Sequence, residues 1–253
     1  MSKQGCLKWI AIISGFMLVL IIAAYLIFNE KEPTGSDSAE AKIMAEKMLR
    51  AVNKEAWDSL AYVSWSFPGG HHYVWDKKRH YVEVKWGDNR VLLNPNEVAG
   101  VAFKGSKQIA EPEANKLVQK AWNFFCNDSF WLNAPVMAFD SGTERSIVDI
   151  DGKKGLKVSY TSGGVTPGDS YVWFLNDQGL PTAYKMWVKI IPIGGLEFSW
   201  DNWIELPGGA KVASRHKSKG PTLELTNIKG GDSFTDFGFE TDPFVELERL
   251  QLK

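Results

Sequence analysis

The sequence predicts a mainly β chain of the α+β class. It should form a curved antiparallel sheet closing into an incomplete barrel, with two helices that cover or plug it and one N-terminal transmembrane helix ahead of it. Three observations predict this. From Ala61 onward apolar residues recur at every second position, in segments bounded by Gly, Pro, Asn or Asp. Two stretches, near 38–57 and 111–127, break that rhythm with helical spacing. Residues 9–28 carry no charge.

Trp9 to Phe28 is twenty uncharged residues. At about 1.5 Å rise per residue, that length crosses a hydrocarbon core of about 30 Å. Lys3 and Lys8 precede it and favour a cytoplasmic N-terminus. The run exceeds the apolar stretch of a signal peptide, and Ala23-Ala24-Tyr25 leads into further apolar residues, so an uncleaved anchor is expected. The expected organisation is a cytoplasmic 1–8, a span or signal anchor at 9–28, a polar linker at 29–37 and an extracytoplasmic (periplasmic or equivalent) domain at 38–253.

Ser38 is placed to cap a helix running to about Trp57, with Met44, Met48, Ala51 and Val52 on one face. Val63, Trp65 and Phe67 then alternate with polar neighbours. His72–Asp76 and Tyr81–Trp86 read as a hairpin, followed by strands at Asn89–Asn94 and Val101–Lys104. Pro112 suits the first turn of a second helix, to about Asn127, whose Leu117, Val118, Ala121, Trp122, Phe124 and Phe125 need cover. Strands follow at Arg145–Ile150, Gly155–Thr161, Asp169–Asn176, Thr182–Ile191, Leu196–Leu206, Lys211–Lys217 and Thr222–Ile228. Short turns such as Asp151-Gly152 imply antiparallel pairing.

Charge and cysteine content exclude several classes. With 29 basic and 30 acidic residues and no basic block, nucleic-acid binding has no electrostatic support. Cys6 and Cys126 would lie on opposite sides of a membrane, so no disulfide and no cysteine-based zinc site is expected. No Gly-x-Ser-x-Gly elbow occurs, and Cys126 sits in an apolar helix, where a thiol is unreactive. Gly163 to Gly168 precedes a strand rather than a helix, so it reads as a turn and not a phosphate loop. No catalytic signature and no cofactor is expected.

Two constellations remain. His72, Asp76 and His80 offer imidazole and carboxylate in one hairpin, a weak metal set because strand geometry separates their faces. Ten of eleven tryptophans lie beyond the apolar run. Trp65, Trp75, Trp86, Trp122, Phe125, Trp173, Phe198 and Trp200 come from separate elements and either line one apolar cavity or fill a core.

The order of elements resembles the LolA/LolB-like lipoprotein-carrier superfamily, and three phrases look like segments of that type: Phe130-Trp131-Leu132-Asn133-Ala134-Pro135, Ser162 to Asp169, and Asp177-Gln178-Gly179-Leu180-Pro181. The resemblance covers roughly 38–245 and implies an unclosed barrel with a helical lid and a cavity for acyl chains. The chain departs from that pattern in its transmembrane segment, which argues against shuttling between membranes. The expected function is a membrane-anchored binding module for a lipid, acyl chain or lipid-modified protein. The alternatives are a metal-assisted hydrolase using His72, Asp76 and His80, or a protein-docking domain of envelope assembly.

Overall fold

The computed structural model describes residues 3–36, 38–163 and 166–251. Helix α1, Lys3–Phe28, leads the chain. Among the described residues no helix is long and apolar enough to cross a membrane. The anchor expected over 9–28 falls partly on side chains outside the described ones, at 10, 11, 18, 20–22 and 24. Gly164 and Val165 of the glycine-rich turn also lie outside them.

The first expected helix is two. Helix α2 (Ala39–Ala51) begins where Ser38 accepts a hydrogen bond from the Ala41 amide, and helix α3 (Lys54–Ser59) follows. Asn53 separates them. Its φ of 54° is left-handed, a region Asn tolerates better than most residues, and its side chain caps α3 through the Ala56 amide.

The β residues form three open antiparallel sheets rather than one curled sheet. Sheet 1 contains β1 (Tyr62–Phe67), β2 (His71–Asp76), β3 (Tyr81–Trp86), β4 (Asn89–Asn94), β5 (Ala99–Lys104) and β6 (Lys107–Gln108), with the late strand β15 (Thr226–Gly231) beside β1. Sheet 2 is a meander of β7 (Thr143–Ile150), β8 (Lys153–Tyr160), β9 (Ser170–Leu175), β10 (Pro181–Trp187) and β11 (Leu196–Ser199). Sheet 3 contains β12 (Asp201–Glu205), β13 (Lys211–Lys217) and β14 (Thr222–Glu224).

Two expected strands divide where the chain changes sheets. Leu196–Leu206 breaks at Trp200: its amide donates to Thr182 O in sheet 2 at 2.8 Å, and the next residue, Asp201, already pairs with Arg215 in sheet 3. Thr222–Ile228 breaks at Leu225, which bonds Ser214 O before β15 joins sheet 1. A strand that switches partner makes the corner between sheets without spending a loop.

Helix α4 (Glu113–Asn133) runs further than expected and continues into a 3-10 turn, Ala134–Met137. It packs on β4, β5 and β13, so one helix covers sheets 1 and 3. The main core lies beneath it and takes the inward faces of all three sheets, among them Val63, Val82, Leu93, Leu156, Val158 and Val212. The opposite face of sheet 1 carries Tyr62, Tyr81, Leu92, Val101 and Phe103, covered by Phe244 and Leu247 around the short C-terminal helix α5 (Val245–Gln251).

The expected linker is docked on sheet 2. Lys185 meets Glu30 at 2.7 Å, Trp187 Nε1 donates to Glu30 O at 2.9 Å, Lys157 meets Glu32 at 2.7 Å, and Ser36 bridges Ile147. That outer face holds Val148, Val172 and Trp187, which explains why β9 is apolar on both sides.

A candidate binding interior under helix α4

Period-two alternation delivers the aromatic side chains to the space under α4. In sheet 1, Trp65, Tyr73, Trp75 and Trp86 point inward while Tyr62, Val74 and Tyr81 point out. Helical spacing on α4 sends Phe125, Trp131 and Leu132 down to meet them.

The rings form two groups. Under the first part of α4, Trp65 stacks on Tyr73 at 4.5 Å, Trp75 meets Phe125 edge-on at 5.3 Å, and Trp86 meets Phe124 at 5.5 Å. Under its C-terminal end, Trp131, Trp173, Tyr184, Phe198, Trp200 and His216 are in mutual contact: Trp173–Trp200 at 5.0 Å, Tyr184–Trp200 at 5.3 Å, Trp131–Phe198 at 4.9 Å and Trp200–His216 at 4.0 Å. The sequence-derived set thus divides, with Trp65, Trp75, Trp86 and Phe125 in one group and Trp173, Phe198 and Trp200 in the other. Trp122 is half-buried at the margin of the core. Both groups belong to one continuous core, and their rings lie against one another. Two open concavities lie elsewhere, beside Arg145: one of about 560 Å³ along the docked N-terminal segment and one of about 450 Å³ at the start of α2.

The second group is unusual in its polar atoms. Tyr184 OH, Trp200 Nε1, His216 Nε2 and, nearby on α4, Asn133 Oδ1 are buried without a hydrogen-bond partner, as is Trp65 Nε1 in the first group. His216 is fully buried. Its Nδ1 lies 3.3 Å from Ser199 O, a contact that fits an Nδ1–H donor. Burial pushes the imidazole down to about 4, against a partial opposing pull from the Ser199 carbonyl, the Asp201 carboxylate and the Trp131 carbonyl, so it is neutral near pH 7. Desolvation also holds the Tyr184 and Tyr171 hydroxyls protonated.

A polar tie fastens α4 to sheet 1, and the sequence reading missed it. Asp128, on the buried side of α4, accepts from Tyr73 OH at 2.5 Å and lies 2.7 Å from His71 Nδ1. His71 stacks on Phe124 at 3.9 Å. Burial and the Asp128 carboxylate push the Tyr73 phenol well up, so it serves as a donor. A lone Asp in an apolar helix carries no signal by itself; only its partner 55 residues earlier explains it.

The hairpin metal set is not brought together. His72 Nδ1 contacts Ser66 Oγ at 2.8 Å, while His80 accepts from Trp75 Nε1 at 3.2 Å on the inner face. Asp76 binds Arg79 at 2.7 Å on the outer face, and Arg79 continues to Asp242 and Glu248. The left-handed turn residue His80, with φ 57°, redirects its ring away from the other two. Among the described residues no group of three His, Cys, Asp or Glu side chains could hold a metal ion. Cys126 is half-buried on α4, and burial pushes its thiol up to about 11.

No protein-family model matches the chain, and no curated protein matches it in sequence. Among solved structures, a DUF1329 family protein from Desulfovibrio piger is similar at 11% identity, covering 79% of this chain and 97% of that one, with a TM-score of 0.41. In its architecture the chain is a mainly β protein of three open antiparallel sheets with a few helices.

Proposed function

We propose that the chain is a membrane-anchored, extracytoplasmic binding module for a lipid, an acyl chain or a lipid-modified protein. The apolar chain enters between α4 and the sheets when α4 moves aside. The carrying observation is the pair of unpartnered polar atoms, Tyr184 OH and Trp200 Nε1, inside a cluster of rings. Packed cores leave few such atoms, because each costs about 1–3 kcal/mol. An ester or carboxyl oxygen at the end of an acyl chain would accept from the indole and phenol, while the chain itself lies along the aromatic rings. The anchor rests on the twenty uncharged residues 9–28 within the 26-residue helix α1. The metal-hydrolase alternative loses its support, because His72, Asp76 and His80 have separate partners.

The test is native mass spectrometry of the full chain released from detergent, with organic extraction, before and after incubation with oleic acid. One fatty acid or phospholipid per chain, weakened several-fold by Trp200→Phe, supports the reading. A clean apo mass with no uptake overturns it, and the aromatic rings are then core alone.

A further inference from the structure

The docked segment after α1 places one particular loop beside the end of that helix. α1 ends at Phe28, and the next residue is already held by the loop between β10 and β11, residues 188–195. Gly194 N donates to Asn29 Oδ1 at 2.8 Å, and Glu30 N donates to Gly194 O at 3.0 Å. Trp187 and Lys185, just before the loop, grip Glu30. No slack separates the helix end from the loop, so whatever medium surrounds the last turn of α1 lies next to the loop.

The loop is built for such a boundary. Its sequence is Val188-Lys189-Ile190-Ile191-Pro192-Ile193-Gly194-Gly195. Ile190 is 70% exposed, and among the described residues beyond α1 only Ile43 and Val245 are other large apolar side chains left exposed. The last residues of α1, Leu26, Ile27 and Phe28, are exposed as well. The acidic groups nearby are matched: Glu30 pairs with Lys185, Glu32 with Lys157, and Asp169 accepts from the Lys189 amide. Lys189, next to Ile190 in the chain, and Lys31, two residues after the docked Asn29, are exposed. An apolar tip flanked by cations suits the boundary between acyl chains and anionic headgroups.

We infer that the 188–195 loop is a second membrane contact, with Ile190 inserting into the headgroup boundary of the bilayer that holds α1. This fixes the orientation of the domain so that sheet 2 and the C-terminal end of α4 stand near the lipid source. The inference rests on the anchor reading of residues 9–28.

The experiment separates the two. Nitroxide labels are placed at Met17→Cys, Ile190→Cys or Ile43→Cys in a full-length Cys6→Ser/Cys126→Ala background, reconstituted into vesicles of phosphatidylcholine with phosphatidylglycerol. Collision with oxygen is compared with collision with a water-soluble nickel chelate. The expected result is a lipid-side shift toward oxygen at 17 and 190, and nickel-dominated collision at 43. A label at 190 that behaves like the one at 43 overturns the loop contact, whatever position 17 reports. A label at 17 in water overturns the anchor. Because Ile190 is exposed, its cysteine variant leaves the packing intact, and circular dichroism identical to the parent confirms it.

Discussion

Replacing Asp128 with Ala should remove its polar tie between α4 and sheet 1. Tyr73 is 2% exposed, so its hydroxyl would be left buried with no acceptor, at about 1–3 kcal/mol. His71 is more open, with 16% of its side chain accessible, and recovers part of its lost bond from water. Asn127, which also donates to Asp128, turns to solvent. The expected loss is about 2–4 kcal/mol. Tyr73→Phe alone removes a bond to a charged acceptor and should cost about 1.5–3 kcal/mol. In the double variant the orphan hydroxyl is gone. Its loss should therefore fall short of the sum of the two by at least about 1 kcal/mol, because contacting residues do not act additively. Urea unfolding at fixed detergent, followed by the summed tryptophan fluorescence, measures all three. Additive losses, within about 0.5 kcal/mol, would refute the reasoning, because Asp128 would then not act through Tyr73.

Further outcomes follow from the same geometry. His216 has a folded value of about 4 against an ordinary 6.5. Its contribution is therefore complete above pH 6.5 and is lost as pH falls toward 4, because the unfolded chain takes up the proton first. The loss reaches up to about 3 kcal/mol at about 1.4 kcal/mol per unit. The decline between pH 7 and 4.5 should be shallower in His216→Phe, and equal slopes would contradict the assignment. A Cβ at Gly194 would stand 2.4 Å from Trp187 Cδ1 and 2.8 Å from Glu30 O. Gly194→Ala should thus loosen the docked segment and speed tryptic cleavage after Lys31; an unchanged cleavage rate would show that the segment is not held there. Cys126, at about 11, should alkylate with iodoacetamide at pH 7.5 roughly a hundredfold more slowly in the native chain than in urea, read by peptide mass. Comparable rates would mean that α4 leaves the thiol open.

Much of the strand map was legible locally. Tyr81–Trp86, Asn89–Asn94 and Lys211–Lys217 coincide with the observed strands, because alternation and turn residues are short-range signals. The Ser38 cap was legible for the same reason. The breaks at Trp200 and Leu225 were not, because alternation continues through them while only the hydrogen-bonding partner changes. The end of α4 was placed early because Asn127 and Asp128 look like surface residues, and Asp128 is buried only by virtue of Tyr73 and His71.

Sequence alone determined the class of the fold, most strand positions and the uncharged run at 9–28, all of which are read within a short stretch of chain. Tertiary structure alone decided that there are three sheets, that the aromatic rows meet in two groups under α4, that His72, Asp76 and His80 part company, and that residues 29–36 are docked rather than free. Those facts depend on which surfaces meet. A side chain's buried partners stand tens of residues away, and no local pattern encodes that distance.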